Sequence, residues 1–485
     1  MHIKEELHAL IHSLSKSEKR YFTLFCKRES SGSNYLKLFN AIDRQEEYDE
    51  AAIKRQFRDQ TFVKQLHVTK NYLRKILLKS LRNYHTGISK NAQLKAMLQN
   101  VEILYNKGLY TLSIRELNKA ERIAREYELL TGLVEIEAWR RKLTQVMEPQ
   151  HYTSIREALD TQAEAIELLQ NLNDYWRLAT ESSGDLLGGE GKVSTSPLLN
   201  NPDRALTLEA KGLFYNANYL KNLHKGNNDE AEKSLRVLVE LLEQHEQRVE
   251  QDPDLYVSSI NNLVSFLVFT RQYEEALITI RKAKELYGQW DISSGNHTLL
   301  KQMLRTMNIE LEIYRDEKLY HENPGFIEPT EAFVTDNEDK MPREYLLSFW
   351  FQLATIHFMR KDFKRALHWN NMLVNTKHRD TRVDLQLQAR MLNLMIHLEQ
   401  QNLTVLRHFA DSTRRYLDKR KEVQPFEEIL MRFFIKIGRL PLLEYKSAFR
   451  ELREQLFPEK DEPLIPLDIL GYINYREWID EKLSS

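Results

Sequence analysis

Trp350-Phe351-Gln352-Leu353-Ala354-Thr355-Ile356-His357-Phe358-Met359-Arg360-Lys361-Asp362-Phe363-Lys364-Arg365-Ala366 is the stretch on which the reading of this chain turns. Trp350, Leu353, Ala354 and Phe358 recur at three- and four-residue steps, which places them on one face of an α-helix. Lys361-Asp362 interrupts that spacing, and Phe363 with Ala366 three residues later opens a second helical face. A bulky residue closing one helix, a tight polar turn, an aromatic and then a small residue describe two helices that touch. The small side chain of Ala366 is what lets their backbones approach.

The same arrangement recurs. Leu263-Val264-x-x-Leu267-Val268 is followed by Arg271-Gln272-Tyr273-x-x-Ala276 and then Ala283. Tyr105-Asn106-Lys107-Gly108-x-Tyr110-x-x-Ser113 leads to Leu117 and Ala120. Leu220-x-x-Leu223-His224-Lys225-Gly226 leads to Ala231 and Leu235. Gly108 and Gly226 accept the backbone angles of an inter-helix turn. Tyr273 and Phe363 cap the gap between neighbouring pairs, and Ala231, Ala276 and Ala366 supply the close contacts.

In these residues the chain resembles the tetratricopeptide repeat, over about residues 95–420. The resemblance implies an all-α, right-handed α-α superhelical solenoid whose groove holds a protein or peptide partner. Departures are visible. Ser113 stands for the small Ala, Arg271 and Lys361 stand for the turn Gly, and the closing Pro is missing. Repeats are also long: Ala231 to Ala276 is 45 residues and Ala276 to Ala366 is 90, against about 34 in the standard repeat. One more helix pair therefore belongs between Ala276 and Ala366, with its loop over 323–342.

Composition agrees with an all-helical chain. Only 15 Gly and 12 Pro occur in 485 residues, about half of average usage, and the first Pro is Pro149. That scarcity argues against sheet-rich folds. Helical periodicity is nearly continuous and predicts about twenty helices. The punctuation suggests three parts: a basic helical subdomain over 1–90, a repeat body over 91–457, and a segment over 458–485 that caps the body with a final helix, 471–483. That helix shows Tyr472, Tyr475, Trp478 and Ile479 on one side. The best internal loop is 182–202, with four Gly and two Pro.

Other chemistry lacks the residues it needs. Cys26 is the single cysteine, which excludes a disulfide framework and cysteine-based zinc sites; it reads as a small apolar residue beside Tyr21, Phe22 and Phe25. The Gly-rich run from Gly184 to Val193 fails as a phosphate loop, because Leu186 and Val193 occupy the positions that need Gly and Ser or Thr. His8 and His12 share a helical face without the Glu of a zinc-peptidase helix. No cofactor, metal or catalytic residue is expected. No apolar run approaches the ~18 residues of a membrane span, so no membrane insertion and a cytoplasmic location are expected.

Charge is uneven. Net charge is −1 overall. Residues 1–90 hold 18 Lys and Arg against 10 Asp and Glu. Ten of those bases, and one acid, fall in 51–90. The stretch 62–72 reads as the turn of a helix-turn-helix, with Thr69 as N-cap and Lys70, Arg74, Lys75, Lys79 and Arg82 on the helix that follows. This face is either a solvated surface or a contact for nucleic acid or for an acidic protein. The acidic stretch 229–254, of the same or another chain, is one such acidic surface, and its use between chains would make a homo-oligomer.

Two functions follow as expectations. The first is a non-enzymatic interaction or scaffold protein with a groove lined by first helices, at Asn216, Tyr219, Asn261, Asn262 and Gln352. The alternative is a nucleic-acid-binding regulator with a basic helix-turn-helix-like head and a repeat sensor, a combination found in some bacterial regulators.

Overall fold

A computed structural model of the chain describes residues 3–28, 32–87, 89–147, 152–186, 196–289, 297–321, 324–376, 381–420, 423–458 and 473–484. Every regular element among them is helical, and helices pack chiefly on their neighbours in the chain. They form two compact units, Met1–Met303 and Leu304–Ser485, and the division falls inside a helix.

The first unit begins with α1 (Ile3–His12), α2 (Lys16–Arg28), α3 (Gly32–Asp43), α4 (Glu50–Gln56) and α5 (Leu66–Thr86). These five enclose a core of their own, with Ile11, Phe22, Cys26, Leu38, Ile42, Ile53, Leu73 and Leu77 buried. Their starts are chemically marked. Ser15 and Glu18 exchange hydrogen bonds at the head of α2, and the Asp49 carboxylate accepts from the Ala52 N–H at 3.0 Å to open α4. Such caps satisfy orphan donors of the first turn. Thr69 is not a cap. It lies inside α5, and its hydroxyl donates back to the carbonyls of Phe62 and Gln65. Between α4 and α5 run nine residues, including a 3-10 turn over Thr61–Gln65, too many for the three- or four-residue turn of a helix-turn-helix.

Helix pairs follow: α6 (Lys90–Asn106) with α7 (Tyr110–Glu126), α8 (Leu130–Met147) with α9 (Tyr152–Leu186), α10 (Leu208–His224) with α11 (Asn228–Glu243), then short α12 (Glu246–Gln251), and α13 (Asp254–Phe269) with α14 (Tyr273–Gln289). α9 continues to Leu186, so the expected loop at 182–202 starts inside a helix; 187–195 lie outside the described residues. The second unit takes over within α15 (His297–Asp316) and continues with α16 (Ile327–Asn337), α17 (Arg343–Met359) and α18 (Phe363–Val374). After these come α19 (Val383–Glu399), α20 (Leu403–Leu417), α21 (Pro425–Ile437), α22 (Tyr445–Leu456) and α23 (Tyr475–Ser484). The 323–342 segment, expected as a loop, contains α16. Its Ile327, Thr330 and Val334 are buried, so the segment has an apolar face to bury, and Pro329 falls in its first turn, where Pro is tolerated.

Five of the described turns joining first to second helices share one geometry. Gly108, Gly226, Arg271, Lys361 and Gln401 all have φ between 57° and 74°. In each, the residue after the left-handed one donates its N–H five residues back. Leu109 donates to Leu104, Asn227 to Asn222, Gln272 to Leu267, Asp362 to His357 and Asn402 to His397, at 2.7–3.0 Å. This is the Schellman closure of a helix C-terminus. Glycine adopts it freely, whereas Arg271, Lys361 and Gln401 hold it against steric preference. The small residues of the second helices are fully buried at Ala231, Ala276 and Ala366. Ser113 takes the same place in α7, and its hydroxyl donates to the Val101 carbonyl of α6 at 3.0 Å.

Candidate interaction surfaces

Four of the five residues expected to line an open groove hydrogen-bond from one first helix to the next. Asn261 is fully buried and its amide donates to the carbonyl and side chain of Gln302 at 2.9 Å. Asn262 donates to Asn216 at 3.4 Å. In the second unit Gln352 is buried and accepts from Arg315 at 2.7 Å, while Ser348 donates to Asn308 at 2.8 Å. Tyr219, the fifth, is half-buried with its ring edge against Phe266. Burying an amide is tolerable only when it is hydrogen-bonded, and pairing along successive first helices meets that need.

Within the second unit the first helices are enclosed nearly all round. Every residue from Leu346 to His357 in α17 is buried, as is every residue from Leu385 to Leu398 in α19 except Arg390. A helix buried on all sides has no solvent face. On one side the covering element is α23. Asn474 caps it, accepting from the Glu477 N–H at 3.1 Å. Ile473, Tyr475, Trp478 and Ile479 are buried. Tyr475 donates to Gln388 of α19 at 2.8 Å, and Trp478 donates to Glu399 at 2.7 Å. The Trp478 ring lies against Phe433 and Phe434 of α21 and Phe449 of α22.

Charges fix the register of α23. Lys318 beyond α15 pairs with Glu477, and Lys361 at the α17 turn pairs with Glu481. Arg453 of α22 reaches Asp480 at 2.6 Å, and Lys482 reaches Glu399 at 2.6 Å. The final helix thus packs chiefly on α22, with side-chain bonds that also reach Gln388 and Glu399 of α19 and Lys361 beyond α17. Beside it remains a cleft of about 170 Å³ with Phe358, Met359, Phe363, Met395 and Trp478 in its wall and Lys361, Glu399 and Glu481 among its charged lining. Periodicity found Tyr475, Trp478 and Ile479. Their acceptors, Gln388 and Glu399, sit in another helix and carry no local signal; Tyr472 lies outside the described residues.

The basic residues of α5 divide into two groups. Lys70 is largely covered, paired with Glu50 at 2.7 Å and placed over the Tyr48 ring. The hydrogen bonds from Lys70, then Lys54, hold the Glu50 carboxyl down to about 2 against the opposing effect of burial. Arg74 lies 3.6 Å from Glu6. Lys75, Lys79 and Arg82 remain exposed, with Lys75 over the Tyr72 ring and Lys79 over Phe25.

Other candidate chemistry is absorbed by packing. His8 and His12 stack at 4.1 Å and donate toward the carbonyls of Gln45 and Ile42. Cys26 is buried in the α1–α5 core. No cluster of metal-ligating side chains occurs among the described residues, and no helix among them is long and apolar enough to cross a membrane. No family model matches the chain, and no curated protein or solved structure matches it.

Proposed function

We propose that this is a non-enzymatic binding protein: a tetratricopeptide-like, right-handed α-α solenoid whose second unit holds an amphipathic helix of a partner protein in exchange for its own final helix. The supporting observation is that this unit accommodates such a helix in cis. α23 buries Tyr475, Trp478 and Ile479, spaced i, i+3, i+4, and sets its register with acidic residues against Lys318, Lys361 and Arg453. Apolar anchors at helical spacing with complementary charge at the rim are the chemistry of helix-in-groove recognition. The repeat reading is supported by the five equivalent left-handed turns and by the buried Ala231, Ala276 and Ala366.

A fluorescein-labelled peptide of residues 473–485 tests the proposal. The cis helix competes at high effective concentration, so wild-type protein is expected to leave the peptide free in fluorescence anisotropy. The Trp478→Ala chain, which weakens its own helix, is expected to bind it, and a peptide carrying Tyr475→Ala and Trp478→Ala is expected not to bind. A folded Trp478→Ala chain that ignores the unmodified peptide at hundred-micromolar concentration refutes the groove.

A further inference from the structure

α5 contains no Asp or Glu anywhere in its 21 residues. α2 packs beside it and contains one, Glu18, which is buried and 2.8 Å from His85. Among the described residues, the exposed positions of these two helices carry bases and no carboxylate. Arg20 and Lys27 project from α2, and Lys75, Lys79 and Arg82 from α5. Arg20, Lys27, Lys75 and Arg82 form no ion pair among the described residues. Among the described residues, Glu50 is engaged with Lys70 and Lys54, and Glu6 with Arg74.

Lys75, Lys79 and Arg82 rise about 6 and 4.5 Å from one another along the helix. Exposed Asn71, Asn83 and a half-exposed Tyr72 lie among them. Two features separate the possible partners of such a surface. Protein interfaces are depleted in lysine and fix register with both signs of charge. Phosphate contacts, by contrast, are made by Lys and Arg with help from Asn and Tyr. With nine residues between α4 and α5, and few side chains suited to base edges, the surface suits a backbone, not a sequence.

We propose that the face shared by α2 and α5 binds the phosphate backbone of nucleic acid without reading its sequence. Arg20, Lys27, Lys75, Lys79 and Arg82 are the contact residues, and Tyr72 offers one ring for stacking. This site is separate from the groove proposed above and stands or falls independently of it.

The test uses the full chain with labelled 20-nucleotide single-stranded RNA, labelled 20-base-pair DNA and labelled poly-glutamate, in anisotropy titrations from 50 to 200 mM KCl. Five phosphate contacts give a log–log salt slope of about −4.5 on duplex DNA, a loss on the order of 500-fold across that range, and about −3.5 on a single strand. The exposed triple variant Lys75→Glu/Lys79→Glu/Arg82→Glu is expected to abolish binding, while Lys107→Glu/Lys225→Glu, on exposed positions elsewhere, leaves it unchanged. Binding of one or both nucleic acids with that slope and that loss supports the proposal, and the two arms tell which form is preferred. No nucleic-acid binding at 50 mM KCl, equal binding of poly-glutamate, or binding indifferent to the triple variant overturns it.

Discussion

Gly226 and Arg271 occupy the same place in successive turns of one unit, at φ 74° and 59°, and exchanging their chemistry measures what that geometry costs. In the left-handed region a Cβ costs about 1–2 kcal/mol. Replacing Gly by Ala also removes about 0.4–1 kcal/mol of unfolded-chain entropy, which offsets part of it. A Cβ on Gly226 meets nothing within 4 Å, so no steric clash adds to the sum. Gly226→Ala is expected to destabilise the first unit by about 0.5–1 kcal/mol. Arg271→Gly reverses each contribution, and the exposed Arg271 side chain has no hydrogen bond or ion pair to lose among the described residues; it is expected to stabilise by a similar amount. In urea unfolding followed by circular dichroism, with a slope near 3 kcal/mol/M, the midpoints should move by roughly 0.2–0.3 M in opposite directions. Midpoints that move the same way refute the claim that the two turns are equivalent. Lys361→Gly is a poorer probe, because it also removes the ion pair to Glu481.

Other perturbations address packing, pH and the final helix. Gly132→Ala places a Cβ 2.3 Å from Leu94 Cδ2 where α8 meets α6; the Leu94 methyl must move aside, which cancels part or all of the ~1 kcal/mol that Ala gains over Gly in a helix, and a melting temperature raised by that full gain would contradict the close approach. Glu50 has its folded pKa held at about 2, below its ordinary 4.5, so its stabilisation is present above pH 4.5 and is lost as pH falls from there toward 2. Glu50→Gln should therefore narrow the difference in urea midpoint between pH 5.5 and pH 3, and an undiminished difference would remove this pair from the acid response. Tyr475→Phe leaves the buried Gln388 without its hydroxyl donor, a loss of about 1–3 kcal/mol. Faster amide exchange over 475–484 in that variant checks it, and wild-type protection would show the bond to be dispensable.

Sequence alone determined that the chain is helical, because apolar spacing, sparse Gly and the lack of Pro before Pro149 act within single helices. It also located Ala231, Ala276 and Ala366, whose smallness is a local property with a local consequence. Two of the five left-handed turns were legible through Gly108 and Gly226. Arg271 and Lys361 were seen only as substitutions in a pattern, and Gln401 not at all; packing of the flanking helices imposes their backbone angles against residue preference. Tertiary structure decided the rest. Asn261 and Gln352 look like polar groove residues on any helical wheel, yet Gln302 and Arg315, 41 and 37 residues away, draw them into the interior. The final helix showed its apolar face in the sequence, but where that face goes depends on Gln388, Glu399 and Phe433 meeting in space. The +8 charge of residues 1–90 was countable from the start. Which of those bases are neutralised, as Lys70 is by Glu50, and which face solvent, as Lys75 and Arg82 do, follows from a 20-residue contact that only the fold creates.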